Sequence, residues 1–291
     1  MPAERFDFPN AAGQRLAALL DRPAGETRAY ALFAHCFTCG KDVHAARRIA
    51  EGLTALGIAV LRFDFTGLGA SEGEFANTTF SSNVGDLIAA ASHLRATHRA
   101  PALLIGHSLG GAAVLAAAAE VPEARAVVTI AAPSDPSHVT GLFRDHIDAI
   151  RDQGEVEVAL AGRHFHITRE FVDDVAEQRL TECIAGLRKA LLIFHSPADD
   201  IVGIANASAI FTAAKHPKSF ISLAGADHLL SRKSDAAYVA NVIAGLGGAL
   251  PRYGAGDRGR ARCAGWRARK RDADGKIPAG GQRGAAPVLC R

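Results

Sequence analysis

Six short apolar runs at βα spacing constrain this chain more than any other feature. They are Tyr30 to His35, Ala59 to Phe65, Ala102 to Ile105, Val127 to Ala131, Leu191 to His195 and Ser219 to Leu223. Helical patterns separate the early ones, from about Asp42 to Leu56 and from Ser82 to Ala96, where Val84, Leu87, Ile88 and Ala91 share one face. Continuous apolar strands alternating with helices imply a mostly parallel sheet with helices on both faces. The expected class is therefore α/β. Ahead of these runs, Phe6 to Phe8 and Leu16 to Asp21, split by Asn10 to Gln14, suit an antiparallel edge hairpin.

Between the run ending at Ile105 and the alanine-rich helix pattern from Ala112 to Ala119 stands Gly106-His107-Ser108-Leu109-Gly110-Gly111. Strand, sharp turn, helix, with a serine at the apex, is the context of a nucleophile elbow. Gly106 and Gly110 let the backbone turn tightly and leave room for a substrate. A serine hydroxyl becomes a useful nucleophile only when a base accepts its proton and a third group holds that base. In this topology the order is serine, acid, histidine, with the last two on loops after later strands.

Both partners are present downstream. Leu191 to His195 runs into Ser196-Pro197-Ala198-Asp199-Asp200-Ile201-Val202, which offers Asp199 as the acid and Asp200 as its alternative. The competing reading of Asp199 is an N-cap for a helix starting near Ile201. Ser219 to Leu223 is followed by Ala224-Gly225-Ala226-Asp227-His228, and His228 follows the last clear strand, where the base belongs. A surface histidine capping the next helix is the rival explanation. The tetrahedral intermediate needs two amide donors. The N–H of Leu109, directly after the serine, is one; the loop His35-Cys36-Phe37-Thr38-Cys39-Gly40 supplies the other, assigned to Phe37. The expected chemistry is hydrolysis of a small carboxylic ester or thioester through an acyl-enzyme, needing no metal and no organic cofactor. Amide cleavage is the less favoured outcome.

Between Ser134 and Lys189 lies an insertion ahead of the strand that bears the acid. Within it, Val156 to Ala161 and Arg163 to Thr168 suggest a small hairpin around Gly162, and Arg169 to Leu187 reads as one helix. It stands where a lid over the site would lie, although a packed helical decoration fits equally well. The chain contains no apolar stretch of the ~18 residues a membrane span needs. Met1 to Asn10 carries Glu4 and Asp7 and does not read as a signal peptide. The five cysteines are odd in number and lack framework spacing, which points to a reducing cytoplasm. Cys36 and Cys39 form a C-x-x-C pair. No thioredoxin context or second pair accompanies it, so lining of the active-site mouth or plain burial is preferred to a redox or metal role.

From about Phe6 to Leu246 the chain resembles the α/β-hydrolase superfamily. Beside the elbow, the matching pieces are Asp64 to Ser71 within RFDFTGLGASEGEF, similar to the family's D-x-x-G-x-G-x-S segment, and the stretches HSPADDIV and GADHLL. The family's usual His-Gly oxyanion dipeptide is replaced by His35-Cys36. The segments AHCFTCGKD, RFDFTGLGASEGEF and FSSNVGDL resemble bacterial proteins in which the hydrolase domain is fused to an OsmC-like domain. That resemblance implies a thiol-dependent peroxide reductase as partner in an intact fusion. It also supplies an alternative function, a non-catalytic accessory domain supporting such a reductase.

The expected organisation is a hydrolase domain over residues 1–246 and a basic, disordered tail over 247–291. The tail is rich in glycine, alanine and arginine, with Arg258, Arg260, Arg262, Arg267, Arg269, Lys270 and Arg271 clustered. Nucleic-acid contact through this cluster is the disfavoured reading, because the net charge of the whole chain is only +3. With a suitable choice of GC-rich codons read one nucleotide later, residues 245–251 can give AWAARYR, residues 276–282 KFQQAVS, and residues 285–291 a string ending PRFFAD. The tail is accordingly read as a frameshifted remnant of a linker and an OsmC-like domain.

Overall fold

A computed structural model describes residues 3–160 and 162–245; the expectations for the tail fall outside the described residues. The chain begins with the hairpin β1 (Glu4–Pro9) and β2 (Arg15–Asp21), closed through Asn10, whose side-chain oxygen accepts the amides of Ala12 and Gln14. Then follow β3 (Ala29–Ala34), α1 (His44–Ala55), β4 (Ile58–Phe63), α2 (Phe80–Thr97), β5 (Leu103–His107), α3 (Leu109–Ala117) and β6 (Ala126–Ile130). After the insertion come β9 (Ala190–His195), α7 (Ala205–Ala213), β10 (Lys218–Ser222) and α8 (Lys233–Gly245).

These strands form one sheet in the order β1-β2-β4-β3-β5-β6-β9-β10. From β4 to β10 all neighbours are parallel, and the β1–β2 and β2–β4 pairs are antiparallel. The expected α/β architecture is therefore the one observed. Strands β4, β5, β6 and β9 are buried along their whole length, which is why they read as continuous apolar runs rather than alternating ones. One face packs against α1 and α8 through Ile49, Leu53, Val239 and Ile243; the other packs against α2 and α3 through Leu87, Val84, Ala113 and Val114. Helix α2 opens with a reciprocal cap in which Thr79 and Ser82 exchange side-chain to backbone bonds.

The insertion holds a 3₁₀ segment (Pro136–His146), α4 (Ile147–Gln153), the antiparallel pair β7 (Glu155–Leu160) and β8 (Arg163–Thr168), then α5 (Arg169–Glu177) and α6 (Leu180–Gly186). The single helix expected over Arg169 to Leu187 is in fact two. Gln178 adopts extended backbone and Arg179 a non-helical conformation, and the chain bends there so that both Phe171 and Leu180 are buried. The helix expected near Ile201 begins instead at Ala205. Ring contacts between Phe37 and Phe171 and between Phe75 and Phe165 join the insertion to the main body, as do bonds from the Ser81 amide and hydroxyl to Asp174. No helix among the described residues is long and apolar enough to cross a membrane.

Candidate active site

Each element of the site sits at the C-terminal edge of the parallel strands, where an open α/β sheet gathers its loops. Ser108 follows β5 directly and is the N-cap of α3, with φ 55° and ψ −128°. This left-handed turn in a residue with a Cβ is held from both sides. The Ser108 amide donates to the Ile130 carbonyl at 2.9 Å, and its carbonyl accepts from the Gly111 amide at 2.8 Å. Close packing explains the two flanking glycines. A Cβ on Gly106 would lie 2.2 Å from the Gly110 carbonyl oxygen, and one on Gly110 would lie 2.4 Å from that of His35. Gly106→Ala should consequently cost about 3 kcal/mol or more, because only backbone is there to give way. Thermal melting followed by circular dichroism tests this, and an unchanged midpoint would contradict the packing argument.

The loop after β10 brings His228 to Ser108, with 3.1 Å between imidazole Nε2 and the serine Oγ. The loop after β9 brings Asp199 to the other ring nitrogen, Nδ1, at 2.9 Å from Oδ2 and 3.1 Å from Oδ1. Asp199 Oδ1 also accepts the amides of Ile201 and Val202 at 3.0 and 2.9 Å. The carboxylate thus faces the imidazole while closing a turn at Ile201 and Val202, ahead of a helix that begins only at Ala205, so it is not the N-cap of a helix near Ile201. Burial alone would favour its neutral form, but the His228 bond and the two amides outweigh that and hold its pKa below the usual carboxylate range. Asp200, the alternative acid, is exposed.

Two further histidines, not foreseen in these roles, hold the loops in place. His107 Nε2–H donates to the His228 carbonyl at 2.7 Å, and His195 Nε2–H donates to the Val202 carbonyl at 2.6 Å. The first fixes the loop bearing the imidazole and the second the loop bearing the carboxylate. His107 is fully enclosed, and desolvation, followed by repulsion from His228, lowers its pKa to about 4. The unfolded chain, with a value near 6.5, therefore takes up this proton first as pH falls. The stabilisation is complete above pH 6.5 and is lost toward pH 4, by about 3 kcal/mol from this residue. His107→Gln keeps an N–H donor without a titrating group. Its melting temperature should fall less than that of wild type between pH 7 and 4.5; parallel declines would contradict this.

The loop after β3 carries the remaining expected group. Phe37 and Leu109 line one small cavity, and Leu109, as the first residue of α3, has an amide with no intrahelical acceptor. Phe37 itself is buried, its ring against Phe75 and Phe171. A few residues on, the loop is pinned to the sheet. Asp64 accepts the Lys41 amide at 2.7 Å, the Lys41 ammonium at 2.6 Å and the Ala70 amide at 3.0 Å, while buried Arg62 donates to the Lys41 carbonyl. Burial opposes the charge on Asp64, yet the Lys41 and Ala70 bonds prevail and lower its pKa. Cys36 and Cys39 are joined in a disulfide across Phe37 and Thr38. That bond departs from the expectation of simple lining or burial. Among the described residues, no group of three or more His, Cys, Asp or Glu side chains is disposed to hold a metal ion.

Comparison with known proteins gives a consistent outcome. The family model described as serine aminopeptidase, S33, matches residues 25–145. The crystal structure of the esterase domain from a Rhodothermus marinus protein is 49% identical and superposes with a TM-score of 0.68, covering 84% of this chain and 97% of that one. Mouse mitochondrial palmitoyl-protein thioesterase ABHD10 is 28% identical over 209 residues, 68% of this chain and 65% of that protein. Rat monoglyceride lipase is 34% identical over 117 residues, 39% of this chain and 37% of that protein. The chain thus spans less than two thirds of either curated relative.

Proposed function

The chain belongs to the α/β-hydrolase superfamily and is a hydrolase of its esterase- and thioesterase-like kind, and from that premise we propose that Ser108, His228 and Asp199 form its catalytic triad. The observation that carries this reading is the unbroken chain of contacts from Asp199 through His228 to Ser108. Asp199 accepts Nδ1–H of His228, which leaves Nε2 free to take the serine proton. Ser108 Oγ then attacks the acyl carbonyl, and the amides of Phe37 and Leu109 receive the oxyanion. His228 returns the proton to the departing alcohol or thiol, and water resolves the acyl-enzyme by the same route.

The substrate we propose is a small or medium apolar acyl group on oxygen or sulfur. Its support is the aromatic set Phe37, Phe75, Phe165 and Phe171 beside the oxyanion loop, together with the thioesterase and lipase among the relatives. An OsmC-like partner, on the resemblance of AHCFTCGKD, RFDFTGLGASEGEF and FSSNVGDL, and a cytoplasmic compartment are further parts of this proposal. A panel of nitrophenyl esters of increasing acyl length, run beside acyl thioesters and aminoacyl anilides, tests the assignment. Turnover of esters or thioesters well above the anilides is expected. Turnover confined to anilides would overturn it in favour of a peptidase.

A further inference from the structure

The turn that presents the Phe37 amide is closed by a covalent bond that chemistry can open. Cys36 and Cys39 are linked, and the Cys39 amide also donates to the Cys36 carbonyl at 3.2 Å, so Phe37 and Thr38 sit in a small ring. On one side His35 Nδ1–H bonds the Cys36 carbonyl at 2.9 Å; on the other, Lys41 is anchored to Asp64 and Arg62. Between these two anchors the disulfide is the covalent constraint on where the Phe37 N–H points.

The two sulfurs differ in access. Cys36 is buried, whereas Cys39 is partly exposed and lines an open cavity of about 530 Å³ together with Thr38, Lys41, Asp64 and Arg163. Asp42 lines the same cavity, and the Lys41 ammonium is paired with Asp64 and Asp42, so access rather than local charge distinguishes Cys39 as the sulfur open to attack.

We infer that Cys36–Cys39 is a thiol-exchange site for small thiol or dithiol reductants and that its state sets the rate of acyl transfer. This rests on the triad and oxyanion assignments above. A reductant thiolate attacks Cys39 Sγ, the bond between the cysteines breaks, and its electron pair leaves on Cys36 Sγ. A second reductant thiol then displaces Cys39 Sγ. The protein gains two thiols and the reductant becomes a disulfide. Oxidised glutathione reverses the step and yields two molecules of reduced glutathione. Opening the ring loosens the Phe37 amide without removing it, since the Cys39–Cys36 backbone bond and the buried ring remain. The expected loss in kcat is about tenfold, short of the 10²–10³ that follows loss of an oxyanion donor.

The test uses the full chain, oxidised with glutathione disulfide or reduced with dithiothreitol under native conditions. The state of the pair is read by alkylation and mass spectrometry of the peptide Ala29 to Lys41, which contains no other cysteine. Nitrophenyl ester hydrolysis is measured on the same samples. The expected result is two alkylated cysteines and a kcat about tenfold lower after reduction, recovered on reoxidation. Cys39→Ser should stay at the reduced rate whatever the treatment. Two outcomes overturn the inference: unchanged kcat despite complete conversion, or a pair that dithiothreitol opens only after denaturation. Absence of hydrolysis in both states, with exchange still occurring, would instead overturn the hydrolase reading and the rate control with it.

Discussion

Ser108→Ala should lower kcat for ester hydrolysis by about a millionfold while the protein folds as before. The size follows from how a triad works as a unit: without the nucleophile, imidazole and carboxylate have nothing to activate, and only binding and oxyanion stabilisation remain. Folding should survive because the bonds that hold the turn, from the Ser108 amide to Ile130 and from Gly111 to the Ser108 carbonyl, use backbone atoms that alanine retains. Alanine also tolerates the local φ of 55° no worse than serine. Initial-rate kinetics with a nitrophenyl ester, beside a melting curve, separates the two effects. A residual rate within a hundredfold of wild type would mean that another group performs the attack.

Asp199→Asn is the second large effect, expected at about 10⁴ in kcat with a melting temperature close to wild type. The amide side chain keeps an oxygen that can accept from Ile201 and Val202, so the local turn persists. Its NH₂, however, faces Nδ1 of His228 and makes that nitrogen an acceptor. The ring proton then moves to Nε2, which can no longer take the proton of Ser108. KM should change little, because the substrate does not touch this residue in the proposed arrangement. The control is Asp200→Asn, an exposed side chain one position on, which should leave kcat within about twofold of wild type. Equal losses for the two variants would contradict the assignment of Asp199.

The centre of the sheet was legible because β4, β5, β6 and β9 are buried on both faces. Their apolar runs are long enough to recognise and spaced as βα units must be. The boundaries shift by a residue or two, as with Leu103–His107 for the expected Ala102 to Ile105. The insertion was harder. The 3₁₀ segment and α4 escaped notice although Asp135-Pro136 marks a helix start, with the Asp135 side chain accepting the Ser137 amide. Apolar spacing through Phe171, Val175, Leu180 and Ile184 suggested one helix, since periodicity survives a break at polar Gln178 and Arg179.

At the site, chain order and strand position pointed to Ser108 and His228 and left the acid between Asp199 and Asp200; the structure brings Asp199, not exposed Asp200, to the His228 ring. The clamps were not readable in this way. His107 reaches the His228 carbonyl across 121 positions of sequence, and nothing local distinguishes it from a histidine that merely precedes a serine. The pairing of Lys41 with Asp64 is equally remote from any pattern. Cys36 and Cys39 had visible spacing but no visible consequence until their ring was seen to enclose Phe37.

A fluorophosphonate probe, followed by peptide mapping, reports on the nucleophile itself. A single adduct on the Ser108 hydroxyl is expected, formed by wild type and lost or slowed by at least a thousandfold in His228→Ala. An adduct on any other residue, or equal labelling of Ser108 with and without the imidazole, would contradict the assignment of Ser108 as nucleophile.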